Sequence, residues 1–267
     1  MEAAAADSPS AEEKQDRSLL RLNVIVGLAH LAQAIVIVAI AGPARLPVNI
    51  NYMTGPPGGP EPPGMTELFT MRIDLAVALF LLLAAIDHLA MASPPVRGWY
   101  LRNVRRGINP ARWWEYSISA SVMVVLIAML SGVSEVTALV AIFGVNASMI
   151  LFGLVMEYVN VDREKVNWRP FIYGCIAGSV PWIAIALQLI FSSTAADNAD
   201  GVPVFVYVIF GTLFVIFNLF AVNMWLQYRK VGRWADPVFA EKAYLWLSLL
   251  AKSALAWQVY FGALAGS

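Results

Sequence analysis

Apolar residues in this chain run in long blocks rather than in the short alternations of a soluble core. Seven blocks stand out: Leu19–Ala41, Met71–Ala92, Ala111–Leu130, Val136–Val159, Pro170–Phe191, Val202–Tyr228 and Ala243–Leu264. Each is long enough to cross a bilayer, which takes roughly 20 mainly apolar residues in a helix. Little chain is left between them. The pattern therefore predicts an all-α bundle of seven transmembrane helices, one domain over 19–267. The Ala-rich, acidic and polar stretch 1–18 before it reads as a disordered tail, without the basic start and short apolar core of a signal peptide. No internal repeat of a few tens of residues is present. One link breaks the pattern of short loops. Gly42–Thr70 carries seven prolines and five glycines, and within it Val48, Ile50 and Tyr52 alternate with Asn49 and Asn51 before Thr54-Gly55. That alternation predicts a short β-like segment and a turn. A link of this length is either functional or interfacial, or else a rigid cover over the helix ends. The other link on its side, Ser192–Gly201, is small and polar.

Composition agrees with the block pattern. Of 267 residues 59% are hydrophobic and only 13% charged, against about 25% charged in soluble domains. Formal net charge is zero, so no global field recruits nucleic acid. The single cysteine, Cys175, excludes an intrachain disulfide. The basic residues are unevenly placed. Lys14, Arg17 and Arg21, then Arg97, Arg102, Arg105, Arg106 and Arg112, then Arg163, Lys165 and Arg169, then Arg229, Lys230, Arg233 and Lys242 all fall on the side of the N-terminus. The other side has only Arg45 and Arg72. The positive-inside rule then predicts a cell-membrane protein with its N-terminus in the cytoplasm. It also leaves Lys252 as the one basic residue expected in the membrane core.

Lys252 is the first candidate for chemistry. A charged ammonium at mid-bilayer costs about 2.5–3.5 kcal/mol on insertion scales, so it must be paired, neutralised or covalently used. Counted along the helix it lies about 16 Å from the cytoplasmic end, too deep for its stem to reach water. Ser248 is one turn earlier, and Ala251 and Ala256 leave room beside it. Glu115 in the third span, roughly 8 Å in by the same rise, is a candidate partner for Lys252; Arg112, three residues earlier, is its alternative. His30, Gln33, Asn146 and Ser148 are mid-span. Asp87-His88 closes the second span, and several polar groups converging on one depth would suggest a hydrated cavity; Asp74, Asp87 and Glu157, near span ends, read as interfacial. His30 at about 16 Å and His88 at about 6 Å, by helix rise, are mismatched for a bis-histidine haem. Two histidines on different helices fall short of a metal set. Beyond Glu115 its face continues with Ser119, Val122 and Leu126, without a second carboxylate for a proton pump. Gly174 and Gly178 form a small-xxx-small motif, either a dimer face or an internal crossing. Pro181-Trp182 predicts a kink. Trp182 and Phe217 would wall a long apolar ligand or simply fill the core.

Several long runs then resemble one family closely. Leu250-Ala251-Lys252-Ser253-Ala254-Leu255-Ala256-Trp257-Gln258 is similar to the retinal-lysine helix of the heliorhodopsins. Trp114-Glu115-Tyr116-Ser117 is similar to their counterion motif. Ala141-Ile142-Phe143-Gly144-Val145-Asn146-Ala147-Ser148-Met149-Ile150-Leu151-Phe152-Gly153 resembles their fourth helix. Gly174-Cys175-Ile176-Ala177-Gly178 and Val180-Pro181-Trp182 resemble their fifth. The resemblance spans nearly the whole chain, and that family's N-terminus-inside topology agrees with the basic-residue count. It implies a light-sensing photoreceptor, not an enzyme, with covalent all-trans retinal. Lys252 would carry the Schiff base, Glu115 would be the counterion and Ser248 would tune the Schiff-base proton. Asn146, Met149, Ile150, Gly153, Trp182 and Phe217 would line retinal. His30 and His88 would lie in a polar cavity on the cytoplasmic side, with Asp87 beside His88. It further implies isomerisation to 13-cis, little or no ion transport, and a homodimer through helices four and five in contact with membrane lipid. A cytoplasmic signalling partner would receive the output. The rival readings are a light-driven or light-gated ion transporter, a light-regulated modulator of a cytoplasmic enzyme, and a non-photochemical membrane enzyme or scaffold. Two positions depart from the family pattern: Ala84 stands where a hydroxyl is frequent, and Asp87 where an apolar residue is frequent.

Overall fold

The computed structural model of the chain describes residues 10–195 and 201–265. Seven of its helices are long and apolar enough to cross a membrane. The first, α1, spans Ala11–Ile40 and so begins well before the expected Leu19. Ser10 and Glu13 form a capping box that starts it, Glu13 N–H donating to Ser10 Oγ at 3.1 Å and Ser10 N–H to Glu13 Oε2 at 3.0 Å. The stretch from Ala11 to Ser18, expected as tail, is therefore helical. The rest of the expected tail, residues 1–9, lies outside the described residues.

The Pro- and Gly-rich link holds more regular structure than its alternation predicts. Strand β1 (Arg45–Tyr52) pairs antiparallel with β2 (Gly64–Arg72), with a register irregularity between Val48 and Asn49. Val48 is buried. Asn49 N–H donates to the Ser134 carbonyl at 2.8 Å, so the hairpin lies over one end of the bundle. This end is called the hairpin end below. β2 leads into α2 (Ile73–Ala92).

At the opposite end Ser93-Pro94-Pro95 stops α2 and starts a helix that the block pattern does not predict, α3 (Pro94–Arg105). It is short and polar, so an apolar-run criterion passes over it. Its apolar positions Val96, Tyr100 and Val104 nevertheless recur every fourth residue and form one stripe. That stripe packs with Leu19, Met91, Val238 and Leu245. Arg105 on the other side pairs with Glu12 and Asp16 of α1 at 3.1 and 2.6 Å. Burial of the Tyr100 hydroxyl, next to the negative Glu241, holds it well above the ordinary phenol range.

The remaining spans are α4 (Pro110–Leu130), α5 (Val136–Asn160), α6 (Arg169–Thr194), α7 (Val204–Tyr228) and α8 (Pro237–Val259). Asn109, Glu135 and Asp236 cap α4, α5 and α8 with side-chain oxygens, and proline opens α4, α6 and α8. Helix α6 runs through Pro181 without a break in its assignment. Helix α8 starts earlier than the expected Ala243 and ends in a π-turn, Tyr260–Leu264. Gly174 and Gly178 sit at an internal crossing. A Cβ on Gly178 would come within 2.9 Å of Met149 Cγ, and one on Gly174 within 3.4 Å of the Met149 carbonyl, so these glycines let α6 approach α5 in the same chain. The hairpin-end half of the bundle is filled by apolar side chains, Phe80, Leu126, Ile127, Ile209 and Val259 among them, all fully buried.

Candidate functional site

Helix α8 buries one stripe, Glu241, Leu245, Ser248, Lys252, Ala256 and Val259, while Trp246 and Leu250 face outward. The spacing of three and four residues along that stripe aims the lysine at the bundle axis. Lys252 is 3% exposed. Its Nζ donates to Ser248 Oγ at 3.1 Å and lies 3.4 Å from each carboxylate oxygen of Glu115 on α4. It also sits 4.8 Å from the centre of the Tyr116 ring. Glu115 thus pairs with Lys252 rather than with Arg112. A cation left alone there would be strongly destabilising; a paired and hydrogen-bonded one is tolerable.

From Lys252 an apolar cavity of about 300 Å³ extends between α4, α5, α6 and α7. That is the lower end of the range for small-molecule sites. Met149, Ile150, Gly153, Trp182, Phe217, Ser248 and Lys252 all line it, as do Trp113 and Tyr116. Trp182 meets Phe210, Phe214 and Phe217 edge-on at 5.6, 5.4 and 5.7 Å, forming an aromatic wall. Gly153 is required by space, since any Cβ there would overlap the Trp113 ring. Asn146 is not part of the lining. It is turned to α4, where Nδ2 donates to Ser121 Oγ at 3.0 Å. A long, flat, apolar group with one end at Lys252 fits this slot, because the walls are mainly apolar and aromatic while that end offers Lys252 and Ser248.

On the α3 side of Lys252 lies a polar layer. The rings of His30 and His88 stack at 5.8 Å with planes 10° apart. The two histidines therefore occupy one level, against the mismatch counted along each helix from its own end. The count fails because α1 overshoots α2, its extra turns lying against α3. Parallel stacked rings are not placed like two axial ligands facing each other across a haem. His88 Nδ1 is 3.2 Å from Asn23 Oδ1, and Asn23 donates in turn to Tyr100. Neither nitrogen of His30 nor Nε2 of His88 has a partner among the described residues. Asp87 lies within electrostatic range of Glu115, Glu241, Lys252 and Arg112. Among the described residues there is no group of three or more His, Cys, Asp or Glu placed to hold a metal ion.

Deeper toward α3 is a cluster that the sequence reading misses. Arg112 is 4% exposed and forms ion pairs with Glu157 of α5 and Glu241 of α8. It is thus a second buried cation, not a residue of the basic loop, and Glu157 is not interfacial. The carboxylates are fully engaged. Glu157 accepts from the Asn109 backbone at 2.8 Å, and Glu241 from Asn109 Nδ2 at 2.8 Å and Tyr100 OH at 3.2 Å. The guanidinium lies 3.8 Å from the centre of the Tyr244 ring. Glu241 escapes notice because its neighbour Lys242 makes the pair look like a solvated helix start. The signal available was its spacing: Glu241, Ser248 and Lys252 are seven and four residues apart, on one helix face.

A seven-helix membrane bundle whose last helix holds a buried lysine against a carboxylate, at the end of an apolar slot, has the architecture of the retinal proteins. Within that class the chain belongs to the heliorhodopsin family, whose model matches residues 19–264. Among curated proteins none matches it. Family membership makes it a light-sensing, retinal-binding membrane protein of the microbial-rhodopsin type.

Proposed function

We propose that the protein is a signalling photoreceptor in which all-trans retinal is bound covalently to Lys252. The observation that carries this reading is the position of Lys252 Nζ, between Ser248 and Glu115 at the polar end of an otherwise apolar cavity. Lys252 would hold retinal as a Schiff base, its amine taking the place of the aldehyde oxygen, which would leave as water. The bound polyene supplies light absorption and isomerisation to 13-cis. Glu115 holds the proton on the nitrogen in the dark, and the Ser248 hydroxyl orients it. Trp182, Phe217 and Met149 fix the polyene along the slot, and the Trp113 ring over Gly153 keeps water from its side. A proton released from the nitrogen would have acceptors at the α3 end: both ring nitrogens of His30 and Nε2 of His88 have no partner among the described residues, and Asp87 offers a carboxylate. The absence of net transport is supported by the hairpin-end half, which is packed with Phe80, Ile127, Ile209 and Val259. With the N-terminus in the cytoplasm, the rearrangement at Glu115 reaches the Arg112 cluster and the basic α3 face, where a cytoplasmic partner would read it. The outward faces of α5 and α6, with Val155, Ile176 and Ile183 exposed, support a homodimer through these helices.

The test is a visible spectrum of the purified protein after all-trans retinal is added, followed by a flash-induced pH measurement in vesicles. A visible band in wild type, its loss in Lys252→Ala, and no lasting pH change are expected. A band that survives Lys252→Ala overturns the covalent assignment. A light-driven pH change that collapses with a protonophore establishes transport instead.

A further inference from the structure

A second concavity, of about 650 Å³, lies on the outer side of the bundle between α7 and α8, near the α3 end. It has two zones. Deeper along the membrane, Leu219, Val222 and Leu226 of α7 form one stripe, faced by Trp246 and Leu247 of α8. Val222 and Trp246 are 46% and 55% exposed, so the zone opens to the surroundings of the bundle rather than to its core. From Leu219 to Leu226 the stripe is about 10 Å tall by helix rise. At its α3 end the lining turns polar. Arg233, from the turn between α7 and α8, has its guanidinium 4.5 Å from the Phe239 ring centre. Lys242 donates to Ser18 Oγ of α1 at 3.0 Å. Trp234, whose indole N–H donates to Asn223 at 2.7 Å, closes the floor. The one carboxylate in the lining, Asp236, is engaged: it caps the α8 N-terminus through Val238 N–H at 2.9 Å and accepts from Gln15 at 3.2 Å.

We infer that this groove holds one anionic glycerophospholipid of the leaflet on the α3 side, its phosphate between Arg233 and Lys242 and an acyl chain along the Leu219–Val222–Leu226 stripe. Charge complementarity and the vertical order of the zones argue for this occupant. Two cations against one capped carboxylate attract an anion, and the apolar stripe below them gives a free anion nothing to bind but suits an acyl chain. Trp234, in the turn at the polar end, sits where aromatic side chains favour the headgroup boundary. A helix of another protein would leave both cations facing an apolar surface. The inference uses the membrane placement and not the retinal chemistry.

The 267-residue chain is reconstituted in phosphatidylcholine nanodiscs with phosphatidylglycerol titrated in, and retained lipid is counted by native mass spectrometry without added retinal. Wild type should retain one phosphatidylglycerol preferentially. R233Q/K242Q should weaken that retention roughly 30-fold, the effect of two cations at the membrane surface. The same charge loss elsewhere, R163Q/K165Q in the exposed turn between α5 and α6, should leave it within twofold. Val222→Trp fills the apolar zone with both cations in place and should also abolish retention. Equal loss in R163Q/K165Q, or unchanged retention in R233Q/K242Q or in Val222→Trp, overturns the site. A colourless protein that still retains the lipid separates failure of the retinal assignment from failure of this one.

Discussion

Replacing Arg112 by methionine removes the only cation in a buried trio. Glu157 and Glu241 then face each other's charge with 1% and 4% side-chain exposure. They keep their bonds from Asn109 and Tyr100 but lose their counter-charge. Breaking a buried ion pair by deleting one partner typically costs about 3–5 kcal/mol, because an uncompensated charge stays behind. For a chain of this size about 2–4 °C of melting temperature goes with each kcal/mol, so Arg112→Met should melt roughly 6–20 °C below wild type. The assay is circular dichroism during heating at one fixed scan rate in one detergent, since membrane-protein melting is often irreversible. The decisive companion is the neutral triple variant, Arg112→Met with Glu157→Gln and Glu241→Gln. It removes all three charges and should recover most of the loss, because replacing a whole buried charge group is often neutral. An Arg112→Met protein that melts within 2 °C of wild type refutes the reasoning, with 2 °C taken as about the smallest shift one kcal/mol gives. So does a triple variant less stable than the single one.

Four further outcomes are expected. Glu115→Gln should narrow the pH range of the visible band, with colour lost at lower pH on the alkaline side; a spectral titration that matches wild type argues against Glu115 as counterion. Gly153→Ala pushes a methyl into the Trp113 ring, and overpacking of this kind costs about 1–3 kcal/mol; regeneration with retinal should slow severalfold, and an unchanged time course would mean that the slot is looser than described. Asp87→Asn should shift the pH dependence of the absorption maximum, and an identical profile would sink a role for Asp87. At the hairpin end, hydrogen bonds from Thr137 and the Ala138 N–H hold the Glu135 carboxyl below its ordinary range. Its contribution is therefore present at neutral pH and disappears as pH falls through its folded value. Glu135→Gln should flatten the acid limb of the stability profile, and an unaltered limb would remove Glu135 from it.

The spans are legible because length and hydropathy alone decide what crosses a bilayer. Lys252 is legible because a cation in such a span demands an explanation, and its rotation toward the bundle axis follows from Ser248 one turn away. What hides is whatever depends on the relative height of two helices. His30 and His88 look mismatched when each is counted from its own helix end, yet they stack, since a one-dimensional count has no common zero. Arg112 hides among loop arginines for the same reason: its position near a helix start suggests water, and only the neighbouring ends of α5 and α8 bury it. Helix α3 and strand β2 hide because their stabilisation comes from a single side. Tyr100 and Val104 pack on α1 and α8, and β2 leans on β1, so neither has the continuous apolar signal of a span. Asn146 lies in the expected helix, and its bond to Ser121 of α4 is a contact that spacing along one helix does not predict.

The hairpin is tied down at its base and free at its tip. Ile73 N–H donates to the Ala44 carbonyl at 3.1 Å, Asn49 is bonded to Ser134, and Gly42 N–H reaches the Leu264 carbonyl at 3.3 Å. Residues 53–63, between the strands, are mostly exposed and rich in proline and glycine. Exposed tips of this composition are where inserted sequence is tolerated best. A fluorescent tag or epitope placed between Pro57 and Pro60 would thus ride outside the bundle, with two strands and three backbone anchors separating it from Lys252. The molecule carries a built-in attachment point for labelling that leaves both helix ends at the α3 side untouched.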